Sequence, residues 1–177
     1  IDEYKCFKGN INNTTIYVLQ TGIGMSKAFD STNKAVKKFE PTELISIGTS
    51  GGHHIDVKRG DIIISNKIIN YDNKKDRVLV PNKIFASKFY EMENSKPGLV
   101  LTSDTWHKDI SEINAIHNKT NSDVEEMESY MSCKVASDHS LNFVALRIVS
   151  NNATTNEDYI RETGITLQKS LFEILKK

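Results

Sequence analysis

The chain has 177 residues, of which 38% are hydrophobic and 26% are charged, a size and composition typical of one globular domain. Its 23 basic residues balance its 23 acidic ones, so it lacks the basic excess of proteins that bind nucleic acid or anionic membranes through charge. No apolar run approaches the roughly 20 residues that span a bilayer, and no charged-then-apolar signal segment opens the sequence. We therefore expect a cytoplasmic protein with a small-molecule partner, and no nucleic-acid or membrane partner.

Cysteine and histidine usage gives no sign of a disulfide framework or a metal centre. Cys6 and Cys133 are the only cysteines, and two reduced thiols are the simpler interpretation. The five histidines show neither an HExxH motif nor a paired Cys/His spacing. We expect no metal, no cofactor and no catalytic cysteine.

Strands and helices alternate in the first part of the chain. Residues 15–19 are rich in β-branched and apolar side chains and predict a strand, and an amphipathic pattern predicts a helix over 25–39. Residues 44–47 and 61–65 predict further strands, the first ending in a glycine turn at 48–52. Their unbroken apolar runs are typical of strands buried on both faces, in a sheet covered by helices.

The second half continues this alternation. Residues 84–92 predict a short helix, 99–101 a strand and 123–137 a helix. The clearest remaining strand is 141–149, and an apolar stripe predicts a closing helix over 158–177. No repeat, low-complexity tract or linker interrupts residues 1–177, so we expect a single domain.

Arg147 interrupts an apolar run that predicts a buried strand. A buried guanidinium needs a carboxylate or an anionic ligand, and the acidic cluster Glu125, Glu126 and Glu128 is a candidate source. At the start of a helix, Glu125 and Glu128 would be neighbours, whereas Glu126 and Glu128 would point about 200° apart. Acidic residues there could equally serve only to complement the helix dipole.

Trp106 and the two glycine turns could each belong to a ligand-binding site, but each also has a purely structural interpretation. Trp106 is the only tryptophan and follows a predicted strand, where its ring could stack on a planar base or simply fill the core. Glycine lets backbone amides approach a ligand, but neither turn is a GxxxxGK[ST] phosphate loop, and Gly22-Ile23-Gly24 lacks the third glycine of a dinucleotide fingerprint.

Taken in order, these pieces resemble the nucleoside phosphorylase and nucleosidase superfamily, particularly its 5'-methylthioadenosine/S-adenosylhomocysteine nucleosidases. The matching stretches run over most of the chain: residues 20–24 (QTGIG), 47–52 (IGTSGG), 57–65 (VKRGDIIIS), 71–72 (YD), 103–104 (SD), 126–128 (EME) and 147–151 (RIVSN). The resemblance implies a three-layer α/β/α fold with a central mixed sheet.

The resemblance also implies the site. Glu128 would hold the ribose hydroxyls, Met127 would pack on the sugar, and Trp106 would stack on the purine, while Arg147 and Ser150 would flank the pocket. The implied catalytic residues are Asn151 and Glu128, and the implied substrate-binding residues are Thr49, Ser50, Gly51, Trp106, Glu126, Met127, Arg147 and Ser150. The implied activity is hydrolysis of the bond between purine and ribose in methylthioadenosine or adenosylhomocysteine, in a homodimer.

One position favours hydrolysis, and two departures from the nucleosidase pattern keep alternatives open. Phosphorylases of this superfamily carry a phosphate-holding arginine where this chain has Ser46, which favours water over phosphate as the nucleophile. Nucleosidases place an aspartate acid where this chain has Asn151, and an amide can only hydrogen-bond; futalosine hydrolases and certain phosphorylases that recognise a 6-oxopurine have asparagine. The family's first strand and its water-positioning glutamate are expected to be missing before Ile1. The alternatives are a phosphorylase, a 6-oxopurine nucleosidase and a binding protein without activity.

Overall fold

The computed structural model describes residues 1–73, 75 and 77–176. It begins with a hairpin of β1 (Cys6–Ile11) and β2 (Thr14–Leu19), which pair antiparallel outside the main sheet. Asn12 and Asn13 form the two-residue loop with positive φ angles of 46° and 66°. Asparagine tolerates this left-handed conformation, which matches the twist of a tight hairpin. Residues 15–19 are a strand, as predicted, but β1 was not predicted.

The main sheet has six strands in the order β5-β4-β6-β7-β3-β8, and β4 also pairs with β8. The strands are β3 (Glu43–Gly52), β4 (Ile62–Asn70), β5 (Val78–Leu79), β6 (Ser95–Thr102), β7 (Val124–Glu126) and β8 (Asn142–Asn151). The pairs β3/β8, β4/β6 and β6/β7 are parallel, and β3/β7, β4/β5 and β4/β8 are antiparallel. The sheet is mixed, as expected, and its pairings join five of the strands into a ring.

Within the described residues, five α-helices accompany these strands: α1 (Met25–Phe39), α2 (Lys83–Ser87), α3 (Ile110–Thr120), α4 (Ser129–Asp138) and α5 (Arg161–Leu175). Apolar side chains fill both faces of the sheet, because successive strand residues point to opposite sides. Ile63 packs with Cys133 of α4 in one cluster, whereas Ile62 and Ile64 pack with Leu171 of α5 in the other. The prediction of strands buried on both faces between helical layers is confirmed.

Several predicted elements differ from the structure. The glycine turn at 48–52 is the end of β3, which pairs with β8 as far as Gly51. The helix predicted over 123–137 is wrong in its first part: residues 124–126 are β7, held between β6 and β3, and the helix starts at Ser129. The helix predicted over 84–92 is only Lys83–Ser87, and α3 was not predicted.

The closing helix covers Arg161–Leu175 of the predicted 158–177, and Lys177 lies outside the described residues. Its predicted apolar stripe packs on the sheet through Leu167, Leu171 and Leu175, whereas Ile160 precedes the helix and is 50% exposed.

Candidate functional site

A cleft of about 2040 Å³ opens beside β3 and the start of α1. Its volume exceeds the roughly 300–1,000 Å³ of most small-molecule pockets. All ten predicted site residues line it: Thr49, Ser50, Gly51, Trp106, Glu126, Met127, Glu128, Arg147, Ser150 and Asn151. The structure thus brings together residues from β3, β7 and β8 and from the connections that follow β6 and β7.

Arg147 is buried, with an exposed fraction of 2%, and its guanidinium contacts three side chains through Nη2 and Nε. Nη2 lies 2.8 Å from Glu126 Oε2 and donates to Ser46 Oγ at 2.9 Å, and Nε donates to Ser129 Oγ at 3.0 Å. A Cβ atom at Gly48 would lie 2.0 Å from Nη1, so glycine is required there. The predicted partner from the acidic cluster is confirmed, and it is Glu126.

Glu126 also organises the start of α4. Its carboxylate accepts hydrogen bonds from the backbone amides of Glu128 and Ser129 and from Thr102 Oγ1. These contacts satisfy amides that a helix start leaves without intrahelical partners. Glu126 thus lies in the cleft wall, and its charge is committed to Arg147 and the helix amides.

Glu128 faces the amino terminus of α1. Its Oε1 accepts a hydrogen bond from the Gly24 amide at 3.0 Å, and Asp104 Oδ1 accepts one from the Met25 amide at 2.8 Å. Burial raises the pKa of the Glu128 carboxyl above its ordinary value of 4.5; the Glu126 carboxylate adds to the rise and the Arg147 guanidinium opposes it. A negative group in this position can stabilise positive charge developing nearby.

Trp106 lies in the irregular segment 103–109 between β6 and α3. It is 51% exposed, so it is not a core residue. Its ring meets Tyr159 edge-to-face, with centroids 5.5 Å apart, and the Lys108 ammonium lies 4.5 Å from its centroid. An exposed indole on the wall of a cleft is available to stack on a planar ligand.

The end of β8 carries Ser150 and Asn151. Ser150 Oγ lies 3.1 Å from the Ser50 carbonyl oxygen and 2.9 Å from Asn151 Oδ1, but the hydroxyl has one proton for these two acceptors. If that proton goes to Ser50, the Asn151 amide turns so that its Nδ2 donates to Ser150. The amide can therefore offer the cleft either a donor or an acceptor.

Ser50 has a further property that bears on ligand binding. The residue is 5% exposed, and its Oγ has no hydrogen-bond partner within the described part of the chain. A buried hydroxyl without a partner costs about 1–3 kcal/mol. Ser50 is among the residues that line the cleft.

Sequence reasoning missed a second buried polar group beside the site. Glu125 lies between His107 and His53, with distances of 2.7 Å from Oε2 to His107 Nδ1 and 3.4 Å to His53 Nε2. All three line the cleft. The signal available in the sequence was a charged residue next to the recognised Glu126-Met127-Glu128 motif.

The described residues contain no group of three or more His, Cys, Asp or Glu side chains suited to a metal ion. No helix in the described ranges is both long and apolar enough to cross a membrane. Burial raises the pKa of the Cys133 thiol to about 12, so this thiol stays protonated and is a poor nucleophile at neutral pH.

Comparison with curated proteins finds nucleosidase relatives. The 5'-methylthioadenosine/S-adenosylhomocysteine nucleosidase of Bacillus thuringiensis subsp. konkukian is 27% identical over 169 residues, covering 82% of this chain and 72% of the relative. The enzyme of the same description from Bacillus cereus strain B4264 is also 27% identical, with the same coverage.

Solved structures share the fold. The 5'-methylthioadenosine/S-adenosylhomocysteine nucleosidase of S. pneumoniae, solved with a transition-state inhibitor, matches with a TM-score of 0.86 at 19% identity, over 98% of this chain and 88% of that one. Futalosine hydrolase of Helicobacter pylori gives a TM-score of 0.86 at 16% identity, over 99% of this chain and 85% of that one.

The family follows from a match along the full sequence. The phosphorylase superfamily profile matches residues 1–177, and the fold brings residues of four recognised motifs, 20–24, 47–52, 126–128 and 147–151, to one cleft. The chain therefore belongs to the phosphorylase superfamily.

Proposed function

We propose that this protein hydrolyses the N-glycosidic bond of a purine nucleoside, with methylthioadenosine and adenosylhomocysteine as substrates. The observation that carries the proposal is the position of Glu128, whose carboxylate lies in the same cleft as Trp106 and Asn151. The curated relatives described as nucleosidases of these two compounds support this substrate class.

The chemistry needs a carboxylate on the sugar side. Breaking the bond between purine and ribose produces an oxocarbenium-like ribose that carries positive charge. Glu128 would hold the ribose hydroxyls and stabilise this charge, and an interaction that strengthens in the transition state lowers the barrier. Met127 lines the same wall and would pack against the sugar.

The base side would be formed by Trp106 and Asn151. The exposed indole would stack on the purine, and the Asn151 amide would hydrogen-bond to its edge. Ser150 holds this amide at 2.9 Å, so its plane is positioned before substrate arrives. Because an amide cannot transfer a proton as an acid does, the departing purine would take its proton from water.

Water is the proposed nucleophile, because the positive charge of Arg147 is already neutralised by Glu126 and would attract phosphate only weakly. Arg147 is the only arginine among the described residues that line the cleft, and Glu126 neutralises it at 2.8 Å. At the position of the phosphorylase arginine, Ser46 accepts a hydrogen bond from Arg147. A phosphate dianion would lose the charge-assisted contact on which phosphorylases rely.

Asn151 favours a second candidate, a nucleosidase for 6-oxopurines. An amide that can present either a donor or an acceptor can pair with a 6-oxopurine as well as with adenine. In this candidate function the same bond is cleaved, Glu128 has the same role and water is again the nucleophile. Only the purine base differs.

A substrate panel tests these proposals. The protein is incubated with methylthioadenosine, adenosylhomocysteine, adenosine and inosine, with and without phosphate, and free base and sugar are measured by chromatography. We expect phosphate-independent release of adenine and the free sugar. Phosphate-dependent formation of ribose 1-phosphate would make the protein a phosphorylase. Release of hypoxanthine alone would select the 6-oxopurine candidate, and nucleoside binding without release would leave a binding protein.

The variant Asn151→Asp tests the base side separately. Aspartate restores an acidic group at the purine edge, so we expect faster cleavage of methylthioadenosine at mildly acidic pH. A drop in this rate would argue against contact between Asn151 and the base. We also propose that the protein is a cytoplasmic homodimer, as the resemblance implies, and light scattering of the purified protein tests the dimer.

A further inference from the structure

The buried group beside the site has a geometry of its own. His53 and Glu125 have side chains that are 2% and 8% exposed, and the side chain of His107 is 6% exposed. Burying a carboxylate is unfavourable unless donors surround it. Here the contacts come from two different parts of the chain, His107 and His53, so Glu125 connects elements that are distant in sequence.

Glu125 contacts His107 through both of its carboxylate oxygens. Oε1 accepts a hydrogen bond from the His107 backbone amide at 3.2 Å, and Oε2 lies 2.7 Å from Nδ1 of the same residue. The two contacts fix both the backbone and the ring of His107. Because Glu125 lies in β7, in the centre of the sheet, the carboxylate fastens an irregular segment to a rigid element.

His53 is a second contact of the Glu125 carboxylate. Its Nε2 lies 3.4 Å from Oε2 of the carboxylate, and its Nδ1 is 2.7 Å from Ser122 Oγ. The ring is thus hydrogen-bonded at Nδ1 and packed against the carboxylate at Nε2, and it limits the positions that the Glu125 side chain can adopt.

Trp106 lies between two attachments of its segment. Upstream, Asp72 accepts hydrogen bonds from Ser103 Oγ at 2.8 Å and from the Asp104 amide at 2.7 Å. Downstream, Glu125 holds His107, the next residue after Trp106. Among the described residues of the sheet, Glu125 is the one whose carboxylate holds the segment on the carboxyl-terminal side of Trp106.

We infer that Glu125 is a positioning residue, which acts through His107 to hold Trp106 where it stacks on the purine. This inference rests on the proposed function for the ligand, but the restraint on Trp106 can be measured without it. Loss of the restraint weakens stacking more than it slows bond cleavage, since Glu125 is argued to act on Trp106 and not on the reacting atoms.

The test uses Trp106 as its own reporter, because it is the only tryptophan. Acrylamide quenching of its fluorescence is measured in Glu125→Gln, which retains the shape of the side chain and replaces one acceptor oxygen by a donor. Glu112→Gln is the matched control, since Glu112 is 54% exposed and lies 3.8 Å from the other nitrogen of His107. We expect greater quenching in Glu125→Gln and no change in Glu112→Gln.

Two substitutions of His107, the residue that Glu125 contacts, test whether a conservative replacement preserves the restraint on Trp106. His107→Asn places an amide donor near the position of Nδ1, and His107→Leu removes the donor. We expect quenching near that of the wild type in the first variant and increased quenching in the second, in proteins whose circular dichroism shows that they are folded. Equal quenching in wild type, Glu125→Gln and His107→Leu would overturn the inference, whatever the activity.

Kinetics provide the second readout. For Glu125→Gln we expect KM for the cleaved nucleoside to rise roughly 10-fold, the size of one lost charge-assisted hydrogen bond, with a smaller change in kcat. In a Trp106→Ala background the same substitution should add little, because residues that act through one another are not additive. Full additivity would overturn the inference. A wild type that cleaves no nucleoside would overturn the proposed function, and quenching would still decide whether Glu125 holds Trp106.

Discussion

Arg147 and Glu126 form a buried ion pair in the cleft wall, with side chains that are 3% and 2% exposed and 2.8 Å between Nη2 and Oε2. The pair joins β8 to β7, and Glu126 extends the connection to the amides at the start of α4. It therefore fixes the backbone on which Glu128 lies.

Arg147→Met should be strongly destabilising. The substitution leaves the Glu126 carboxylate buried without its guanidinium, and breaking a buried pair in this way costs about 3–5 kcal/mol. Urea unfolding followed by circular dichroism measures the free energy of unfolding. Adding Glu126→Gln should recover part of the loss, because the unpaired charge is removed.

An exposed pair serves as the control for this prediction. Lys88 and Glu43 lie 3.2 Å apart with side chains that are 58% and 44% exposed, and such pairs contribute about 0–1 kcal/mol. Lys88→Met should therefore change stability by less than Arg147→Met does. Equal losses would show that the burial of Arg147 has no energetic consequence.

Glu128→Gln should reduce kcat/KM by roughly 10²–10³-fold, the usual effect of removing one electrostatic contact to a transition state. In the wild type, kcat/KM should fall as acid protonates Glu128, at a pH above the ordinary carboxyl value of 4.5, because burial raises its pKa. This acidic limb should disappear in the variant. A wild-type rate that stays constant down to pH 4.5 would contradict the assignment.

The same substitution should not destabilise the fold at neutral pH. A carboxyl whose pKa is raised in the folded state contributes stability below its unfolded pKa, and this contribution is lost as the pH rises through the folded value. Ionised Glu128 is therefore unfavourable at neutral pH, and Glu128→Gln should raise Tm relative to wild type by more at pH 7 than at pH 4. A Tm that falls at pH 7 would show that the charge stabilises the fold.

Ser50→Ala should separate stability from binding. The variant removes a buried hydroxyl that has no partner within the described residues, so the free energy of unfolding should stay equal or increase. If substrate satisfies this hydroxyl, KM should rise several-fold, within the roughly 0.5–1.5 kcal/mol of an ordinary hydrogen bond. Calorimetry and steady-state kinetics measure the two effects, and an unchanged KM would exclude Ser50 from substrate contact.

The two thiols should differ in reactivity. Burial raises the pKa of Cys133 to about 12, whereas Cys6 is partly exposed on β1. A thiol reagent at pH 8 should therefore modify Cys6 in the native protein and reach Cys133 only after unfolding. Mass spectrometry of the labelled peptides identifies the modified site, and rapid native labelling of Cys133 would contradict the packing of α4.

Much of the architecture could be predicted, because its signals are local. The apolar runs of β3, β4 and β8 and the periodicity of α1 and α5 lie within single elements. The buried position of Arg147 and its need for an acidic partner also followed from the sequence around it, since a charged residue within an apolar strand requires a compensating group.

The predictions that were wrong or missing have a common physical origin, because the structures concerned depend on non-local contacts. Strand β7 has three residues, too few to show a period of two, and its hydrogen bonds to β6 and β3 decide its conformation. The contact of His53 and His107 with Glu125 joins parts of the chain that no spacing rule connects. Such a cluster becomes visible only when the sheet places its members side by side.

The hydrogen bond from Arg147 to Ser46 couples two positions that a motif comparison treats as independent. An arginine introduced at residue 46 would bring a second guanidinium against the first, where Glu126 can neutralise only one. Under the proposed function, an arginine at residue 46 would therefore hold phosphate only if the Arg147 side chain were also lost or displaced. The choice between water and phosphate would then depend on residues 46 and 147 together, and not on residue 46 alone.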